Sequence, residues 1–360
     1  MSVTLTDVRL ALDETIDSNN GLALGALIKD QHIRIDGARV EIKFDLGYHC
    51  QDDGAALKAR LSDKLASVGV TQATIALTTT VMAHAIRAGV ERVPQVKNII
   101  AIASGKGGVG KSTTAVNLAL AMASQGARVG VLDADIYGPS VPMILGVSGK
   151  PESDGKQMQP LLGHGIQTNS IGFLISPDSP AIWRGPMVTQ ALEQLLRQTA
   201  WADLDYLIVD MPPGTGDIAL TLAQKVPVVG AIIVTTPQDV ALLDARKGLR
   251  MFEKVEVPIL GIIENMAVHV CSNCGHPEHI FGDGGGQRMA QEFATPCLGS
   301  LPLSIAIRTQ SDAGVPIVIA QPDSLAAGIY QDIALKIAAR VATLPRDLSE
   351  KFGTIAIKRA

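Results

Sequence analysis

Apolar positions along this chain follow two regimes. Up to about residue 90 they come in short groups broken by charge, whereas from Asn98 onward compact β-branched runs alternate with stretches of helical spacing. In the first region the spacing predicts a helix over 7–15 and strands at 23–28, 33–35 and 38–45. A helix over 54–68 and a strand near 73–78 follow, and Asp36-Gly37 supplies a hairpin turn between the second and third strands. In the second region strands are predicted at 99–103, 128–132, 206–209, 231–235, 259–263 and 297–299, with helices between them and a closing amphipathic helix over 325–344. The fold class is therefore α/β: a doubly wound, mainly parallel sheet preceded by a small α+β domain. The expected organisation is a small domain over 1–90, a linker over 91–97 containing Pro94, a nucleotide domain over 98–345 and a tail over 346–360. There are no internal repeats or low-complexity segments.

Composition narrows the function. Only 3% of the 360 residues are aromatic, so Ala, Val, Ile and Leu must fill the core, which suits a parallel sheet buried on both faces. The net charge is −4. Divided after Gln95, the chain has 10 basic against 12 acidic residues and then 21 against 23, a net −2 in each part. Neither part is a basic polyanion-binding module, and no nucleic-acid partner is expected. No apolar run approaches the roughly 18–20 residues of a membrane span, and Asp7, Asp13 and Glu14 stand where a signal peptide is basic and then apolar. Cys50, Cys271, Cys274 and Cys297 form no disulfide framework, so reduced thiols in a cytoplasmic protein are expected.

The chemistry begins at residues 104–112, Ser-Gly-Lys-Gly-Gly-Val-Gly-Lys-Ser. Gly105, Gly110, Lys111 and Ser112 meet the P-loop pattern, between an apolar strand-like run over 96–103 and helical spacing over 113–123. Gly105, Lys106, Gly107, Gly108, Val109, Gly110, Lys111, Ser112 and Thr113 are the expected phosphate-binding residues, with Lys111 reaching the β/γ-phosphates. Lys106 is surplus to that task. A second cation makes better sense crossing to a nucleotide held by another subunit, which points to an ATPase that works as a homodimer.

Three further segments complete the expected site. The run 131–135 ends in Asp133 and Asp135; Asp135 is expected to orient the attacking water and Asp133 to lie nearer a Mg²⁺ shell, the plainer reading being a capping pair. Asp210 ends the apolar run 207–209 and is expected to hold Mg²⁺ beside Ser112. Residues 211–217 form a Pro/Gly loop suited to sensing the γ-phosphate, and Asp217 either caps the next helix or does chemistry. Asn265, after the strand at 259–263, could read an adenine edge with its amide or serve as a turn residue. Catalysis then rests on positioning and electrostatics by Lys111, the loop amides and Mg²⁺, with Lys106 acting across the dimer like an arginine finger.

Cys271 and Cys274 stand at C-x-x-C spacing in a Gly-, His- and Pro-containing loop. Two thiolates bind one metal or two corners of an iron–sulfur cluster, and a redox pair is a further reading. His276 and His279 are too closely spaced for a zinc finger. Two symmetry-related loops supply the missing thiols, so the dimer suggested by Lys106 gives a Cys₄ site that fits a [4Fe–4S] cluster or zinc. Cys297 reads as a small buried apolar residue, and Cys50 as a bystander or a transient metal handler.

On the segments 104–112, 132–140, 210–217 and 271–282 the chain resembles the Mrp/ApbC-type iron–sulfur cluster carrier ATPases of the deviant Walker A group that includes MinD and ParA. The resemblance covers about residues 96–345. It implies an ATP-binding homodimer that holds a labile [4Fe–4S] cluster between subunits and passes it from an assembly scaffold to apo iron–sulfur proteins. Cys271 and Cys274 would carry the cluster; Lys106, Lys111, Ser112, Asp135 and Asp210 would serve ATP and Mg²⁺. Residues 1–90 loosely resemble the small MIP18-like domain often fused to such proteins, but lack its early Asp-Pro segment. Alternatives are a positioning ATPase of the ParA or MinD kind, which calls for a basic patch or amphipathic anchor, and a zinc-bridged ATPase dimer. A nitrogenase-reductase-like carrier needs cysteines in the nucleotide domain, and none stands between Cys50 and Cys271.

Overall fold

β-Branched runs with no polar face must be covered on both sides, and here they line up as one sheet. The structure is a computed structural model and describes residues 3–50, 53–174 and 185–347. The chain divides into two units, Met1–Met82 with Leu335–Thr343, and Ala83–Ala334 with Leu344–Ala360. The first division thus falls at residue 82 rather than 90.

In the first unit, α1 (Leu5–Asp13) opens on a capping box between Thr4 and Asp7 and buries Val8, Ala11 and Leu12. The strand expected at 23–28 is instead a single helical turn, α2 (Leu24–Leu27). Leu24 and Ile28 are both buried four residues apart, a helical interval, and Arg9 donates to the carbonyls of Gly25 and Ile28, drawing the segment onto α1. β1 (Ile33–Asp36) and β2 (Arg39–Asp45) pair antiparallel; after α3 (Asp53–Ser67), β3 (Gln72–Thr78) joins β2 in parallel. Tyr48 donates to Asp17 and accepts from Asn19 in the interior, where burial raises its phenol pKa well above the usual range.

The second unit runs β4 (Val96–Ala103), α4 (Lys111–Ser124), β5 (Val129–Asp133), α5 (Val141–Ile144), β6 (Leu161–Gly163), β7 (Ile166–Ser170), α6 (Gly185–Gln198), β8 (Leu204–Asp210), α7 (Asp217–Lys225), β9 (Val228–Thr235), α8 (Asp239–Lys254) and β10 (Ile259–Glu264). A small hairpin of β11 (His269–Val270) and β12 (Pro277–Glu278) precedes α9 (Gly285–Glu292), β13 (Cys297–Ser300), α10 (Ile305–Asp312), α11 (Ile317–Ala320) and the start of α12 (Leu325–Ala342), whose residues from Leu335 onward belong to the first unit. The sheet order is β13-β10-β9-β4-β8-β5-β7-β6, parallel throughout except for β6. All six strands expected in this region are present. The β6–β7 edge was not expected, because Thr168, Asn169 and Ser170 are polar yet buried and disguise β7 as a loop.

The stretch 91–97 is not a free linker. Val93 is buried in the core, β4 already begins at Val96, and Arg92 pairs with Asp347. Of the expected tail, Arg346 bridges to His84; residues 348–360 lie outside the described residues. Among the described residues no helix is long and apolar enough to cross a membrane.

At the amino ends of the central strands, Asp205 accepts from Lys97 Nζ (2.8 Å), the Arg128 amide (2.9 Å) and Arg128 Nη2 (3.1 Å). Burial pushes its carboxyl pKa upward, but the Arg128 and Lys97 hydrogen bonds outweigh burial and leave it lowered. The stabilisation is therefore complete above the unfolded value near ~4 and fades as pH falls through the lower folded value. Asp205→Asn should lower stability by about 1–3 kcal/mol at neutral pH. In denaturant titrations repeated at successive pH values, the gap from the native chain should close in acid; a gap independent of pH would refute the account.

Candidate functional site: a phosphate loop beside a thiol hairpin

Register places the site. Ser170 on β7, Asp133 on β5, Asp210 on β8 and Ile102 on β4 are successive in-register partners at the carboxyl ends of their strands. In-register neighbours point the same way, so two carboxylates stand side by side beneath the loop that leaves β4. Both are fully buried. Asp133 accepts from Ser170 Oγ (3.0 Å) and from the amides of Asp135 (3.1 Å) and Val141 (3.2 Å). Burial, reinforced by the charge of Asp210, pushes its pKa up to about 7. Its bonds are those of a segment anchor as well as of a strand-end carboxylate, and Ser170, unsuspected in a polar strand, orients it.

Lys111 lies at the start of α4, only 6% exposed, and donates from Nζ to Asp210 Oδ1 at 2.6 Å. Asp135 Oδ2 is 3.9 Å from the same nitrogen, and Ser112 Oγ is 3.4 Å away. Burial raises the Asp135 pKa, with the Lys111 charge opposing. Asp210 Oδ2 is buried without a hydrogen-bond partner, so this carboxylate has coordinating capacity that the protein leaves unused.

The glycines have separate duties. A Cβ on Gly105 would lie 2.1 Å from the Asp244 carbonyl carbon, so only glycine lets α8 pack against the loop. Gly110 caps α4 at φ +79°, and a Cβ there would meet Asn265 Nδ2 at 2.2 Å. Asn265 is in fact bound to the loop: Nδ2 donates to the Val109 carbonyl (2.8 Å), and Oδ1 accepts from the Met266 amide (2.9 Å). The amide works as a strut, with one hydrogen and one lone pair left over.

Lys106, at the exposed tip of the loop, has no ion pair among the described residues; its carbonyl accepts from Ser104 Oγ (2.9 Å). Gly107, Gly108 and Thr113 complete the loop, with Gly107 and Gly108 open to solvent. In the 211–216 loop the Gly214 amide donates to the Ser104 carbonyl (2.9 Å), tying it to the phosphate loop. Gly216 is the cap of α7 and Asp217 its first residue, exposed, where a carboxylate complements the helix dipole.

Beyond Asn265 the chain forms the β11–β12 hairpin, with Cys271 half-buried and Cys274 exposed at its tip. The Cys271 amide donates to the His276 carbonyl (3.0 Å) and the Gly275 amide to the Cys271 carbonyl (2.8 Å), closing a tight knuckle. Hydrogen bonds from the amides of Cys274 and Asn273, and from the Cys274 thiol, lower the Cys271 pKa. A thiol shifted in that direction is better suited to ligate a metal than an ordinary one. Among the described residues no group of three His, Cys, Asp or Glu side chains converges on a metal position. His279 Nδ1 donates to the Ala267 carbonyl (2.8 Å), so it braces the hairpin, and His276 is exposed. Cys297 is half-buried on β13 rather than fully buried, and Cys50 is buried in the first unit.

A parallel sheet carrying a glycine-rich phosphate loop, a second loop lysine and paired strand-end carboxylates defines a P-loop NTPase of the deviant Walker A kind. Residues 95–338 match the ParA family model described as NUBPL iron-transfer P-loop NTPase, and the chain belongs to that family. It is 60% identical over 248 residues to the iron-sulfur cluster carrier protein of Escherichia coli (strain K12), covering 68% of this chain and 67% of that one. It is 51% identical over 253 residues to the iron-sulfur cluster transfer protein NUBPL of Mus musculus, covering 69% and 79%. Among solved structures, a nucleotide-binding protein from Archaeoglobus fulgidus in complex with ADP superposes with a TM-score of 0.55 at 38% identity, over 61% of this chain and 87% of that one.

Gly110→Ala should fold yet lose at least ten-fold in nucleotide affinity, because it strains a left-handed position and drives a methyl into Asn265. Equilibrium titration with a fluorescent ADP analogue measures this; native affinity would show that the Gly110–Asn265 contact does not shape the loop.

Proposed function

We propose that the chain is a cytoplasmic ATP-hydrolysing carrier that holds a [4Fe–4S] cluster between two copies of itself and delivers it to apo iron–sulfur proteins. The observation that carries this reading is the knuckle: two thiols, one with a lowered pKa, at the tip of a short hairpin, half of a four-thiolate site. The carrier names of relatives at 50–60% identity support the same cargo. In this reading the cluster is cargo and Cys271 and Cys274 of each copy are its ligands.

On the nucleotide side, the spare oxygen of Asp210 fits a Mg²⁺ ion that Asp210, Ser112 and, less directly, Asp133 would hold. When bound, that ion supplies charge neutralisation at the phosphates. Lys111 moves from Asp210 to the β/γ-phosphates, while the amides of residues 105–113 line the polyphosphate. Asp135 orients a water on the γ-phosphorus; the new P–O bond forms as the bond to the β-phosphate oxygen breaks, releasing ADP and phosphate. Lys106 of the second copy meets the charge that accumulates on the leaving oxygen.

Two results test the reading. Anaerobic reconstitution should give a brown protein with about four irons per dimer, and Cys271→Ala or Cys274→Ala should lose the colour. Zinc without iron would favour the zinc-bridged alternative, and full iron retention in both variants would sink the assignment. Lys106→Ala should reduce steady-state ATP turnover by at least ten-fold with ADP binding largely kept; an unchanged rate would remove the cross-subunit role.

A further inference from the structure

Asn265 stands where the nucleotide loop and the thiol hairpin meet. Its Nδ2 reaches back across 156 residues to the Val109 carbonyl in the phosphate loop. Forward, six steps along the chain bring it to Cys271. Those six steps contain little slack. The Asn265 amide donates to the Thr235 carbonyl (2.7 Å), the Ala267 amide to Leu301 (3.0 Å) and the Leu303 amide to the Val268 carbonyl (2.8 Å). His269 Nδ1 donates to the Leu303 carbonyl (3.1 Å), and the β11–β12 ladder begins at that residue. Met266 supplies one left-handed joint, φ +58°, held by its own bond to Asn265 Oδ1.

We infer that Asn265 is a positioning residue that transmits the state of the phosphate loop to the spacing and exposure of Cys271 and Cys274. The inference rests on the carrier reading above and names the link between its two halves. A turn residue has no need to bond a loop so distant in sequence. An adenine reader has no need of Val109, whose carbonyl precedes the glycine that caps α4. A strut needs both. On this inference, closing of the loop amides on a polyphosphate reorients the peptide joining Val109 to Gly110, and its carbonyl carries the Asn265 amide with it. With the intervening backbone already hydrogen-bonded to β9 and to the segment after β13, the displacement is taken up at the hairpin.

The test uses metal-free, full-length protein, so that it reads the thiols directly. Iodoacetamide alkylation rates at Cys271 and Cys274 are measured by peptide mass spectrometry, with buried Cys50 as the slow reference, without nucleotide and with Mg-ADP at a concentration saturating each variant. The native chain should show at least a three-fold change in rate on adding nucleotide. In Asn265→Ala that ratio should fall to about one at full ADP occupancy, which loss of affinity alone does not produce. Met266→Gly keeps the backbone conformation but frees the joint, and it should shrink the ratio as well; it decides the matter should Asn265→Ala fail to fold. A native chain whose thiols ignore nucleotide, or variants that retain the native ratio, would overturn the inference. Thiols that respond to nucleotide in a chain unable to take up iron would count against the carrier reading alone.

Discussion

The site depends on one buried ion pair, Lys111 to Asp210 at 2.6 Å. A lysine ammonium in the interior is tolerated only when paired, and here a single ammonium faces Asp210 and Asp135 while Asp133 lies beside Asp210. The cluster holds one ammonium against three carboxylates, and burial, reinforced by the charge of Asp210, pushes the Asp133 pKa up to about 7. In the proposed mechanism a polyphosphate that draws Lys111 away would leave Asp210 buried with both side-chain oxygens unmet, which favours an anion that brings a cation of its own. The proposed nucleotide and divalent-ion sites would thereby be linked by the cost of an unpaired buried carboxylate. Parallel strand order is what sets this up, since it gathers the carboxyl ends of β4, β5, β7 and β8 into one row.

Much of this was legible in residue order because the nucleotide unit is locally consistent. Apolar runs of strand length, a glycine-rich turn and a helical repeat each select the same fold, and all six expected strands of the sheet are found. The departures from that pattern have specific causes. The apolar run 23–28 satisfies both periods, so it predicts a strand, while in the structure Arg9 binds the Gly25 and Ile28 carbonyls of the helical turn. β7 is hidden in the sequence because two of its three buried polar residues find partners remote in sequence, Thr199 for Asn169 and Asp133 for Ser170.

Within the site, what motifs reveal and what they hide differ in kind. Lys106, Lys111, Asp133, Asp135, Asp210, Cys271 and Cys274 announce themselves by charge or thiol at recognisable spacing. Ser170 and the strut role of Asn265 depend on which strands become neighbours, and a residue pattern carries no information about that until the sheet order is known. Asn265 is instructive because its side-chain amide donates to a carbonyl 156 residues away, in the phosphate loop, a partner that no local pattern displays.

The same sheet order bears on why one dimer could complete two half-sites. β4 delivers the phosphate loop and β10 delivers Asn265 and the thiol hairpin, with only β9 between them. Two strand spacings amount to roughly 10 Å, and both deliveries occur at the carboxyl edge because the strands are parallel. Lys106 projects from one and Cys274 from the other, both exposed, and among the described residues Lys106 has no ion pair. Had β10 run antiparallel, the thiols would leave from the opposite edge, and a second copy meeting the lysine could not also meet the thiols. In a parallel sheet a single two-fold axis near that edge can serve both, so the proposed nucleotide and cargo sites share a partner as a consequence of strand direction.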